Sequence, residues 1–225
     1  RHQGGCRAGL FGARGDPRHR RSRAGRREGG GDAILLLSVD QQVEEALKSQ
    51  PDIAHVVVVH HETTTGRLND LEGVGALCQK YSCGLMIDAV SSFGAEGIDF
   101  QKLPVTAVAG TANKCLHGIP GTAFVLVKKE LLAEGQSQSP SIYLDLYRYA
   151  DQQKTGFSPF TQPVQCLYAL DTALEELSAS GGQPSRHALY LQRSEMLREH
   201  LAALGIKTLL EGDVYSSMLT SFWLP

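Results

Sequence analysis

No stretch of the chain approaches the ~18 consecutive apolar residues of a membrane-spanning helix, so an integral helical membrane protein is not expected. Paired cysteine patterns are missing too. The five cysteines (Cys6, Cys78, Cys83, Cys115 and Cys166) are odd in number and contain no CxxC. A disulfide framework is therefore not expected, and reduced thiols point to a cytoplasmic compartment. Strong net charge is also lacking. A formal balance of −2 gives the chain as a whole no electrostatic pull on nucleic acid. No internal repeat is visible. What is present is a 42% hydrophobic fraction over 225 residues, enough for a substantial core in one large domain or two small ones.

Residues 1–31 are poor in apolar side chains and in acids. They hold nine Arg, nine Gly and two acids, Asp16 and Glu28, which is +7 and leaves −9 for the rest (−2 − 7). Such a segment cannot bury enough surface to fold alone. It is expected to be a disordered arm or a mistranslated stretch from a wrong reading frame. RNA binding and a targeting peptide are the functional alternatives.

Ordinary composition begins near Ala33. "VDQQVEEALKSQ" places Val39, Val43, Ala46 and Leu47 on one helical face, and Pro51 ends that helix. "IAHVVVV" over Ile53–Val59 is a near-continuous β-branched run, the pattern of a strand buried on both faces of a parallel sheet. A helix follows, with Asn69 or Asp70 as N-cap and Leu71, Val74, Leu77, Cys78 and Tyr81 at helical spacing. Residues 83–87, 105–109 and 122–128 read as further strands. Two long helices come next, with Val164, Leu167, Leu170, Leu174 and Leu177 on one apolar face. The other turns Leu189, Met196, Leu197, Leu201 and Leu204 inward, with Gly205 as C-cap. "VYSSMLTSFWLP" alternates weakly like a strand. The whole reads as an α/β sheet flanked by helices.

Ligands of open α/β sheets bind beyond the carboxyl ends of the strands. Three such ends carry "HHETTTG", "DAVSSFG" and "GTANK". An aspartate leaving a buried strand costs desolvation and needs a partner, though most strand-end aspartates are simply caps or ion pairs. A lysine in a closed loop of small residues is a candidate Schiff-base former, though most loop lysines are merely solvated. Pyridoxal phosphate needs both: a lysine amine for its aldehyde and a carboxylate for its pyridine nitrogen. His60 and His61 are adjacent and would point opposite ways on a strand, without metal-ligand spacing. No metal is expected. Cys115 is expected to be a small hydrophobe rather than a nucleophile, and His117 structural. Tyr143, Tyr147 and Tyr149 could line an entrance or simply pack.

In this order and spacing, "HHETTTG", "IDAVSSFG" and "GTANKCLHGIPG" resemble the core of the class V, fold type I aminotransferases. The resemblance covers roughly residues 39–225. It implies a fold type I large domain with a mainly parallel sheet flanked by helices, truncated at both ends. It also implies a pyridoxal 5'-phosphate cofactor. Within the family, the motifs imply transfer of the amino group of 2-aminoethylphosphonate to pyruvate, giving phosphonoacetaldehyde and alanine. Alanine–glyoxylate or serine–pyruvate transamination is the neighbouring alternative. That group tends to carry Gly-Glu-Ser-Ser where this chain has His-Glu-Thr-Thr.

The resemblance implies roles residue by residue. Lys114 would hold the cofactor and shuttle protons. Asp88 would pair with the pyridine nitrogen, Val90 would pack on one ring face, and Thr63 would hydrogen-bond the ring oxygen or phosphate side. Asn113 would lie near the cofactor. Thr161, in "GFSPFTQPVQ", would meet the cofactor phosphate of a neighbouring subunit, making the protein a homodimer with a shared site. The family's glycine-rich phosphate loop and its C-terminal substrate-binding arginine are not recognisable in this chain. The resulting expectation is an arm at 1–31, a partial large domain at 32–178 and the start of a small domain at 179–225, with weak or no activity. A scaffold or RNA-binding protein on a dead core is the non-catalytic alternative.

Overall fold

The computed structural model describes residues 8–12, 39–133, 136–212 and 214–223. Five strands form one sheet: β1 (Ala8–Gly12), β2 (Ile53–Val59), β3 (Gly84–Asp88), β4 (Val105–Thr111) and β5 (Ala123–Val127), adjacent in that order. The pairs β2–β3 and β3–β4 are parallel, while β1 and β5 run antiparallel at the two edges. The sheet is mixed, with its parallel pairing in the centre.

The helix α1 (Val39–Ser49) forms where the apolar spacing predicts it, and it buries Val43 and Leu47. In α2 (Leu71–Lys80), Asp70 is the N-cap, and its side chain accepts from the N–H groups of Glu72 and Gly73. Leu71, Val74 and Cys78 of α2 meet Val56, Val58, Leu85, Ile87, Val105 and Val108 of the sheet in one core. A two-sided burial of β2 is not observed. Val56 and Val58 are buried while Val57 and Val59 are only half-buried, because α1 and α2 cover a single face.

Three other expectations are corrected. Of residues 1–31, those in β1 are ordered as an edge strand on β2, while the remainder of the expected arm lies outside the described residues. Leu10 and Phe11, the only large apolar residues of that segment, sit in this strand, and the free edge of β2 supplies its backbone partners. The helices α5 (Val164–Ala179) and α6 (Gly182–Ala203) form as predicted and pack on each other, but their apolar faces are not inward. Ala173 and Ser194 are their only buried residues, and Leu204 is 74% exposed. Gly205, at φ +79°, follows α6 and donates to Ala202 O at 2.9 Å, as expected of a C-terminal glycine. The last stretch is not a strand. It makes isolated bridges, Arg67 to Tyr215 and Thr208 to Phe222, because it pairs with the turn after β2 and with the segment after α6 instead of with the sheet. Two shorter helices, α3 (Lys129–Ala133) and α4 (Leu146–Gln153), lie between β5 and α5. Tyr143 and Tyr149 pack on the Phe160 ring. No helix among the described residues is long and apolar enough to cross a membrane.

Candidate active site

Parallel pairing brings three carboxyl ends to one rim. Val59 lies opposite Asp88, and Asp88 lies opposite Ala109. The loops that follow carry Thr63, the Asp88 turn and Lys114. Backbone bonds extend the alignment past the strands, with His60 N–H donating to Asp88 O at 2.9 Å and Ala89 N–H to Ala109 O at 2.9 Å.

Asp88 is half-buried at the end of β3. Its Oδ1 accepts from Val90 N–H at 3.0 Å, which fixes the carboxylate within its own turn. Among the described residues no side chain donates to Oδ2, which leaves that oxygen for a ligand. The Val90 side chain is exposed beside it. Two histidine–serine contacts hold the turn from behind. His60 Nδ1 lies 3.0 Å from Ser92 Oγ, and His61 Nδ1 lies 3.0 Å from Ser91 Oγ. Each histidine thus bonds a different one of two adjacent serines in that turn. Both are buried. Burial pushes His60 down to about 4, and it lowers His61 as well, with the nearby Lys114 charge adding to the effect and Glu96 opposing it. Both rings are neutral near pH 7. His61 Nε2 is buried without a partner. Among the described residues, no group of three His, Cys, Asp or Glu is placed to hold a metal.

Lys114 sits three residues beyond β4 in a closed loop. His117 N–H donates to Lys114 O at 2.9 Å, and Gly118 N–H donates to Ala112 O at 2.8 Å. His117 has φ +67°, so the turn is tight. The Lys114 side chain is exposed and makes no ion pair among the described residues. Its loop is joined to the Asp88 turn, since Cys115 Sγ donates to Ser91 O at 3.3 Å. A Cβ on Gly94 would meet Leu116 at 2.7 Å, so glycine there permits close packing of the two loops. Burial pushes the Cys115 thiol up to about 11, which suits a packing role and not a nucleophile. The Thr111 hydroxyl lies 2.8 Å from Asn113 Oδ1, holding that amide at the loop entrance.

Thr63 is exposed at the tip of the turn that Gly66 N–H closes on Glu62 O at 2.8 Å. Glu62 Oε1 and Arg67 Nε are buried in this turn without partners. The structure thus carries Asp88, Val90, Asn113 and Lys114 on the loops of neighbouring strand ends, with Thr63 on the loop after β2, and no contact among the described residues joins Thr63 to the others. No contact among the described residues joins the exposed Thr161, between α4 and α5, to that set. The group fits pyridoxal phosphate by its chemistry: an unpaired amine, an open carboxylate oxygen, a free hydroxyl and an exposed aliphatic face. Sequence reading missed the histidine–serine locks and the buried Glu96. The paired "HH" and "SS" were a usable signal, but nothing marks Glu96 as buried.

The Aminotransferase class-V family profile matches residues 36–221. A 2-aminoethylphosphonate–pyruvate transaminase of Cupriavidus necator is 42% identical over 184 residues, which are 81% of this chain and 49% of that protein. Another, from Salmonella paratyphi C, is 38% identical over 187 residues, 82% of this chain and 51% of that protein. Among solved structures, the alanine–glyoxylate aminotransferase of Nostoc sp. superposes with a TM-score of 0.76 at 26% identity, covering 84% of this chain and 50% of that one. Pyridoxamine–pyruvate aminotransferase of Mesorhizobium loti gives 0.71 at 28% identity, covering 83% and 48%. The chain spans about half the length of the curated relatives it matches. By profile, sequence identity and superposition alike, the chain belongs to the class-V aminotransferase family.

Proposed function

We propose that this chain carries the cofactor-binding core of a pyridoxal phosphate-dependent transaminase that moves the amino group of 2-aminoethylphosphonate to pyruvate, giving phosphonoacetaldehyde and L-alanine. The observation that supports it most is the shared rim, with an open Asp88 oxygen and an unpaired Lys114 amine on adjacent parallel strand ends. The names of relatives about 40% identical support the choice of substrates. Bound pyridoxal phosphate supplies an electron sink. Asp88 Oδ2 holds the proton on its pyridine nitrogen. Lys114 Nζ anchors it at rest and carries a proton to and from the substrate carbon. Val90 covers one ring face, while Thr63 and Asn113 supply polar contacts. Thr161 serves the phosphate of a second subunit in a homodimer. The superposition on the Nostoc enzyme favours alanine–glyoxylate chemistry as the second reading; the His-Glu-Thr-Thr motif argues for the first.

Mixing the chain with pyridoxal phosphate should produce a visible absorption band that Lys114→Ala abolishes. A band that persists in Lys114→Ala, or none in the parent chain, overturns the cofactor reading. Alanine production from 2-aminoethylphosphonate and pyruvate, set against glyoxylate consumption with alanine, separates the two substrate readings.

A further inference from the structure

The face of α6 that meets the rest of the chain is polar. Gln183, Arg186, His187, Tyr190, Ser194 and Arg198 recur at helical spacing, and at about 100° per residue they fall within roughly a third of the circumference. Their partners are loops and their backbone. Gln183 Nε2 donates to Ala95 O at 2.6 Å, and His187 Nδ1 stands 3.2 Å from Glu96 Oε2. Ser194 Oγ donates to Ser217 O at 2.7 Å, and Arg198 to Thr220 Oγ1 at 3.1 Å.

Two members of the stripe bracket the lysine loop. Arg186 Nη1 donates to Cys115 O at 2.6 Å, one residue beyond Lys114. The Tyr190 hydroxyl bonds His117 Nε2, three residues beyond Lys114. Within the loop itself the backbone ties are few: His117 N–H to Lys114 O and Gly118 N–H to Ala112 O. A charge-assisted bond to a loop carbonyl is therefore among the stronger restraints on where that loop sits.

We propose that Arg186 and Tyr190 are positioning residues, through which α6 clamps the 112–118 loop and sets the direction in which Lys114 presents its amine. This rests on the cofactor-anchoring role of Lys114 proposed above. Arg186 reaches a backbone carbonyl, so the restraint acts on loop position without touching the amine. Motion of α6 is then felt at Lys114.

The test uses the whole 225-residue chain with Arg186→Ala, Arg186→Lys and Tyr190→Phe. Hydrogen exchange without cofactor reports the clamp directly. Losing a charged hydrogen bond should speed exchange of the His117 and Gly118 amides by about tenfold or more in Arg186→Ala. The Val57 and Val58 amides of β2 should be unchanged. Arg186→Lys should recover part of the protection, because an ammonium also donates to a carbonyl. Tyr190→Phe deletes only a hydroxyl and keeps the test informative if Arg186→Ala does not fold. A second readout is the rate and pH profile of borohydride-dependent fixation of pyridoxal phosphate on Lys114, located by peptide mass spectrometry. A fall of about tenfold in rate is expected for Arg186→Ala, by the same loss of restraint. Unchanged exchange at His117 and Gly118, or a rise shared equally by β2, overturns the proposal. If the parent chain is not fixed at Lys114, the cofactor reading fails, and the exchange result alone decides the clamp.

Discussion

Acidification from pH 7.5 to 5 should destabilise this chain through His60. The ring is 3% exposed, and burial lowers it from 6.5 to about 4. A base whose value is depressed in the folded state binds fewer protons folded than unfolded. Its contribution is complete above about 6.5 and is lost as pH falls from there toward 4. At pH 5 the unfolded imidazole is almost fully protonated and the folded one mostly neutral, which costs about 2 kcal/mol by linkage. Glu96 opposes the shift, and His61 reinforces it. His61 is itself lowered and adds in the same sense. Asp40 is raised by burial and by Asp70 beside it, and so works the other way. A variant difference removes these common terms. Urea unfolding of the parent chain and His60→Asn at pH 7.5 and 5 should show the parent losing about 2 kcal/mol more than the variant. Asparagine keeps a polar atom near Ser92 Oγ but cannot titrate. Equal losses in the two proteins would refute the argument that desolvation governs this histidine.

Two further outcomes are expected. Gly66→Ala should destabilise by more than about 1 kcal/mol in urea, since φ is +85° and the new methyl would collide with Leu219 O; cleavage by a probe protease should rise within residues 214–219. Alkylation by iodoacetamide at pH 7.5 should modify the half-buried Cys166 well before Cys115 or Cys78, whose thiols burial pushes up to about 11 and about 12. Early labelling of Cys115 would contradict its packing role.

The sheet was legible because its strands are short apolar runs ending at chemistry. "IAHVVVV" predicts β2 to the residue, and the parallel neighbours follow from the helix between β2 and β3. The rim was legible because parallel strand ends carry their loops to one edge of the sheet, where Asp88 and the loop of Lys114 lie. Burial on α5 and α6 was not legible. A stripe of leucines predicts an inward face only where an apolar partner covers it, and besides α5 what α6 meets is loop backbone and polar loop side chains. Backbone carbonyls attract Gln183, Arg186 and Ser194, so the polar stripe faces inward. The spacing of Gln183, Arg186, His187 and Tyr190 was present in the sequence, but periodicity in polar residues ordinarily marks the solvent side.

Glu96 shows why the missed residues bear on the site. It is 4% exposed, and Oε1 accepts from both Ser217 N–H and Ser217 Oγ at 2.7 Å. A buried carboxylate without such donors would cost several kcal/mol. With them, and with His187 Nδ1 at 3.2 Å, the carboxylate is met by two segments remote in sequence, α6 and the stretch around residue 217. An aliphatic side chain of similar size would avoid the desolvation cost and could match the stability. It could not select these partners. The carboxylate therefore decides which residues meet on the far side of the Asp88 turn. The same α6 face then reaches Cys115 through Arg186, so the loops presenting Asp88 and Lys114 are referenced to one helix. That common reference lies outside the family motifs, so reading the motifs alone proposes the reacting groups but not what sets their relative position.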